Sequence, residues 1–235
     1  MNWLVTAAGL QNNIRVPKWC KTIVAILLLP LCAGAASALW RIVRESESAD
    51  TVWVAFLAGA ACWLVIYLSL PKPMWVYVFG HELTHVIWTW MLGGRVKKFK
   101  ASAQGGHVVV SKSNFIIALA PYFFPLYAIL VVLLFLGGHL LWGWSAYVVW
   151  FHLLLGAAYA FHVTLNWHIL KHSQTDITSQ GYLFSTVVIF LGNVTVLLVG
   201  VPLLTAKVGV LTTLRWWASG TVDAVQALAR VLVSR

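Results

Sequence analysis

Acidic side chains are scarce in this chain of 235 residues: three aspartates and three glutamates stand against sixteen lysines and arginines. Charged residues of both signs make up only 9%, hydrophobic residues 61%, and the mean hydropathy is +0.85, which excludes a water-soluble globule of this length. Cysteine is nearly absent too. Cys20, Cys32 and Cys62 form no CxxC pair and are odd in number, so a disulfide framework or thiolate metal site is excluded and they read as small packing residues. No internal repeat, low-complexity tract or separate polar domain is visible. The first apolar segment lacks a small-x-small cleavage pattern, so it does not read as a removable signal peptide. The formal charge of +10 sits in short connections and at the ends, which points to anionic lipid headgroups and the positive-inside rule rather than nucleic acid.

What the chain has in abundance is long apolar runs. A helix needs roughly 20 apolar residues to cross the hydrocarbon, and this predicts an all-α membrane protein with about six spans, over 19–40, 51–70, 74–92, 115–137, 143–170 and 182–205. Many of the fourteen tryptophans, such as Trp19, Trp40, Trp75 and Trp142, fall near run ends, as in an interfacial aromatic belt. Pro30, and Pro121 with Pro125, are expected to kink the first and fourth spans without breaking them. Residues 1–18 read as an interfacial leader, 19–205 as the membrane domain, and 206–235 as an amphipathic C-terminal tail. Between the third and fourth spans, Val96, Phe99 and Ala101, then Val108 to Val110, flank Gln104-Gly105-Gly106 and predict a short β-hairpin. Arg95, Lys97, Lys98, Lys100 and Lys112 in that connection favour a cytoplasmic hairpin and an N-terminus outside.

The third run contains His81-Glu82-Leu83-Thr84-His85. Histidines four apart share one helical face and can hold one Zn²⁺, and the glutamate between them can act as general base toward an activated water. At this composition the pattern arises by chance roughly 0.003 times per chain. An ionisable residue at membrane depth costs about 2.5 kcal/mol or more, so Glu82 is expected to be there for use.

Catalytic zinc takes three protein ligands as a rule, so one more must come from elsewhere. Asp50 and Asp223 lie in polar or interfacial stretches. That leaves Asp176, in a polar interruption between the fifth and sixth spans, where irregular backbone can line a cavity. The fifth span offers competing nitrogen ligands in His152, His162, His168 and His172, any of which can instead orient a ligand or carry protons.

An HExxH helix within a membrane span, then a glycine-containing hairpin, then the proline-bearing Ala118-Leu119-Ala120-Pro121, resembles the site-2 protease family of intramembrane zinc metalloproteases. The resemblance covers residues 75–181 and implies His81, His85 and Asp176 as zinc ligands and Glu82 as base. In such a mechanism Asn166 is expected to orient the substrate carbonyl or a loop, and the Gln104–Gly106 hairpin region, with Gly105 and Gly106, to hold an unwound substrate extended. The chain would then be a compact relative without a PDZ domain. It would be a multi-pass protein of the bacterial inner (cell) membrane, acting on transmembrane proteins or peptides among membrane lipids, with no nucleic-acid partner. Asp176 is followed by Ile177 where the family has glycine, and Asn166 stands ten residues upstream.

Two other functions are compatible with the same residues. A catalytically inactive relative would bind other membrane proteins without cutting them. A channel, transporter or haem bundle would use its histidines differently, but two histidines four apart on one helix cannot take opposite faces of one haem, and a transporter usually carries a repeat or several acids in its spans.

Overall fold

The computed structural model describes residues 16–171 and 174–234, together with the backbone of residues 6–7. Most of the leader expected over 1–18 therefore lies outside the described residues, as does His172. The chain is mostly helical and divides into two compact units, one made of residues 1–14 and 51–179, the other of 15–50 and 180–235.

The second unit contains α1 (Lys18–Leu27), α2 (Leu29–Glu45), α9 (Tyr182–Thr205) and α10 (Val210–Val233). α1 and α2 are bent by 44° at Leu28, just before Pro30, whose missing N–H and fixed φ suit the first turn of a new helix. Ala25 packs with Phe184 and Val187 between α1 and α9. The tail, expected as an amphipathic interfacial helix, is one continuous helix, α10, packed on α2. Trp217 Nε1 donates to Leu31 O at 3.0 Å, and Thr213 is fully buried.

The first unit begins with β1, the two residues Thr6–Ala7, and continues through α3 (Asp50–Ser69) and α4 (Met74–Met91). Gly93, at φ 71°, turns the chain out of α4 into β2 (Val96–Ser102), which returns as β3 (Gly105–Val110). The antiparallel register runs from Val96 opposite Val110 to Ser102 opposite Gly105, with one irregularity at Lys97, and β1 pairs parallel with β3 at His107 and Val108. β3 obeys the two-residue period of a strand: Gly106, Val108 and Val110 are buried, and the two valines pack on Val86 of α4.

The fourth apolar run departs from expectation. Asn114 caps α5 (Phe115–Leu119) by accepting from Ile117 N at 2.9 Å, a 3₁₀ turn follows at Ala120–Tyr122, and α6 (Leu126–Trp142) leaves at 77°. This is a break and not a kink. Pro125 has no N–H to give the Pro121 carbonyl, and Leu126 N bonds Phe124 O, so the helical ladder stops. α7 (Val148–Leu170) runs back beside α3, with Gly59 and Gly156 at the crossing. A Cβ on Gly59 would lie 1.8 Å from Leu153 O, and one on Gly156 would lie 1.9 Å from Phe56 O, so the two backbones touch. The short α8 (Thr175–Gln180) closes the unit.

Among the described residues, three helical segments are long and apolar enough to cross a membrane, namely α3, Trp144–Leu170 and α9, or five if each bent pair counts as one span. Six were expected. α4 is not among them, because His81, Glu82 and His85 lower its hydropathy, and the face that carries them is buried in the first unit.

Candidate metal centre

Helical spacing puts His81 and His85 of α4 on one face, and α8 brings Asp176 against them. His81 Nε2 and His85 Nε2 each lie 3.5 Å from Asp176 Oδ2, and one ligand atom from each of the three residues falls within 4.8 Å of the others. All three side chains are at most 4% exposed. Among the described residues this is the one such grouping; His152, His162 and His168 do not join it.

The spacing matters chemically. A charge-assisted hydrogen bond is about 2.7–2.9 Å long, so 3.5 Å leaves both Nε2 atoms buried and without a hydrogen-bond partner. A divalent cation bonded at about 2.0–2.2 Å in tetrahedral geometry holds its ligand atoms about 3.3–3.6 Å apart, the spacing seen here. Donor set, burial and orphaned lone pairs all fit a metal ion. Burial alone would raise the Asp176 carboxyl, but His85 and His81 beside it outweigh that and bring it down to about 2, so the carboxylate offers its anionic oxygens.

Both imidazoles are held from behind. His85 Nδ1 lies 2.8 Å from Ile117 O, which can only accept, so Nδ1 carries a proton and in the neutral ring the Nε2 lone pair faces Asp176. His81 Nδ1 lies 3.3 Å from the Tyr77 hydroxyl. Tyr122 lies against the same group, its hydroxyl 3.5 Å from Asp176 Oδ2 and its ring edge-on to His81 at 5.3 Å between centroids.

Glu82 is fully buried beside the pair, and neither carboxylate oxygen has a hydrogen-bond partner. β3 covers it. A Cβ on Gly106 would lie 2.6 Å from Glu82 Cγ and 2.9 Å from its Oε1, so only glycine lets the strand lie this close. Gly105 is one residue further out, half-buried, accepting from the Ser102 hydroxyl.

Asn166, expected to orient a substrate carbonyl, is buried behind His81. Its Oδ1 accepts from the Tyr77 hydroxyl at 2.9 Å, and its Nδ2 lies 3.3 Å from Pro121 O, 3.4 Å from Tyr122 O, and 3.1 and 3.4 Å from the ring nitrogens of His162. Its polar atoms are thus engaged within the protein. Tyr77, Ile117 and Tyr122 were not singled out from sequence. Tyr77 was findable, being four residues before His81 on the same helical face, whereas nothing local marks Ile117 or Tyr122.

Comparison of this chain with protein families, with curated proteins and with solved structures found no match.

Proposed function

We propose that this protein is an intramembrane zinc metalloprotease of the site-2 protease type, hydrolysing peptide bonds of membrane-embedded protein substrates in a bacterial inner membrane. One observation carries the proposal: the two HExxH imidazoles and a carboxylate 91 residues beyond the second converge at metal-cage spacing with their lone pairs unspent, and an unpaired glutamate stands next to them. His81, His85 and Asp176 would hold the ion. When bound, zinc supplies Lewis acidity, polarising a peptide carbonyl and making a water acidic enough to lose its proton near neutral pH.

The rest of the chemistry belongs to side chains. Glu82 takes the proton from the attacking water and returns it to the departing amine, a role suited to a carboxylate with no competing hydrogen bond. Tyr122, its hydroxyl at Asp176 and its ring against His81, keeps those two groups in register. A substrate helix hides its carbonyls in its own hydrogen bonds and must unwind before attack. The turn end of the hairpin at Gly105-Gly106, where Gly106 lies over Glu82, is the segment that would hold an extended substrate.

The test is a comparison of the wild type with Glu82→Gln. Both should carry one zinc per chain, and only the wild type should cleave transmembrane peptides reconstituted with it in liposomes. Zinc in both with cleavage in neither would leave a binding protein and overturn the enzymatic reading.

A further inference from the structure

Buried behind His81 is a chain of hydrogen bonds that runs from a broken helix to the metal face. In an unbroken helix the Pro121 carbonyl would accept from the N–H of residue 125. That residue is proline, so the carbonyl is released, and the 77° break leaves the Tyr122 carbonyl outside the ladder as well. Both oxygens lie within 3.4 Å of Asn166 Nδ2. Carbonyl oxygens only accept, so the amide must present its NH₂ to them and its Oδ1 to the opposite side. On that side is Tyr77, whose hydroxyl donates its one proton to Oδ1 at 2.9 Å. With that proton committed, the Tyr77 oxygen can meet His81 Nδ1, 3.3 Å away, only as an acceptor. His81 therefore carries its proton on Nδ1 and turns the Nε2 lone pair toward Asp176.

We infer that Tyr77 and Asn166 are positioning residues: they fix the tautomer and ring orientation of His81, and the released carbonyls of Pro121 and Tyr122 fix them. The inference rests on the metal-centre reading and adds the device that makes one of its ligands competent. His85 needs no such relay, since a main-chain oxygen does the same for it directly. The two histidines thus reach one tautomer by different routes, and the His81 route alone depends on side chains that can be removed. It also assigns Asn166 to the ligand and not to the substrate.

The dissociation constant for Co²⁺ decides the matter. It is measured by chelator competition on the full-length protein in detergent, with the visible Co²⁺ spectrum recorded for each form. Tyr77→Phe and Asn166→Ala should each weaken Co²⁺ binding by about 10–100-fold, the usual consequence of losing such an outer partner. The double variant should be no weaker than about the worse single one, because either change cuts the same relay. Thr164→Val alters α7 two residues from Asn166, removing the hydroxyl that accepts from Trp63 Nε1, and should leave the constant and spectrum unchanged. If helix packing were the cause, the Thr164 variant would lose affinity too. Binding by the wild type with constants within twofold in both single variants, or losses that multiply in the double variant, overturns the relay alone. A wild type that binds no Co²⁺ overturns the metal centre, and the relay with it.

Discussion

Under the proposed function, replacing Gly106 by alanine should separate catalysis from metal binding, because β3 there meets Glu82, the proposed base, and none of the three proposed ligands. The added Cβ would stand 2.6 Å from Glu82 Cγ, about 1 Å inside ordinary contact, and 2.7 Å from the Lys100 carbonyl of the neighbouring strand. Sliding β3 sideways drives it into β2, so relief must come from lifting the strand off α4 or swinging Glu82 aside. Overpacking of this kind costs about 1–3 kcal/mol of stability. A base displaced by about 1 Å loses about 100-fold in rate, near 2.7 kcal/mol of barrier. Single-turnover cleavage of a fluorogenic transmembrane peptide in proteoliposomes, with metal content measured on the same samples, reads both effects. The expected result is full metal occupancy with cleavage slowed about 100-fold. Cleavage within threefold of wild type at full occupancy would refute the argument that β3 confines Glu82.

Gly137 supplies the opposite case: a Cβ there meets nothing within 4 Å, so Gly137→Ala should leave cleavage and metal unchanged and raise helix stability by about 0.5–1 kcal/mol, read as thermal unfolding in detergent. Gly59→Leu or Gly156→Leu should force α3 and α7 apart, lowering the melting temperature and releasing metal as Asn166 moves with α7; an unchanged melting temperature would contradict the close crossing. Metal affinity should also fall as pH drops, since ligands must be deprotonated to bind. The neighbouring imidazoles hold the Asp176 carboxyl well below the usual carboxylate range, so it stays ionised while the histidines take up protons, and the loss should reflect up to two protons, not three. A three-proton dependence in chelator competition at graded pH would contradict the depressed Asp176.

The metal face was legible because its signal is local. His81, Glu82 and His85 announce themselves by type and spacing, and the scarcity of acids left Asp176 as the carboxylate to pair with them. The hairpin was legible from its valines and glycines, whose alternation survives as the buried face of β3. Less could be read where tertiary contact decides. Pro121 and Pro125 were recognised as helix perturbers, but a 77° break depends on what accepts the freed carbonyls, and that partner, Asn166, is more than forty residues away. Hydropathy registers the apolar flanks of α4, whereas the polar stripe through its middle is the face that the unit buries. The tail showed its amphipathic pattern plainly. That its partner is α2 follows from a contact such as Trp217 with Leu31, which no periodicity encodes.

X-ray absorption at the metal edge of the purified, full-length protein tests the centre most directly. One divalent ion per chain, bound by two imidazoles and one carboxylate oxygen, and lost or altered in coordination in Asp176→Ala, is the predicted result. A protein that carries no ion after zinc loading, or an ion whose spectrum is unchanged by Asp176→Ala, would contradict the account.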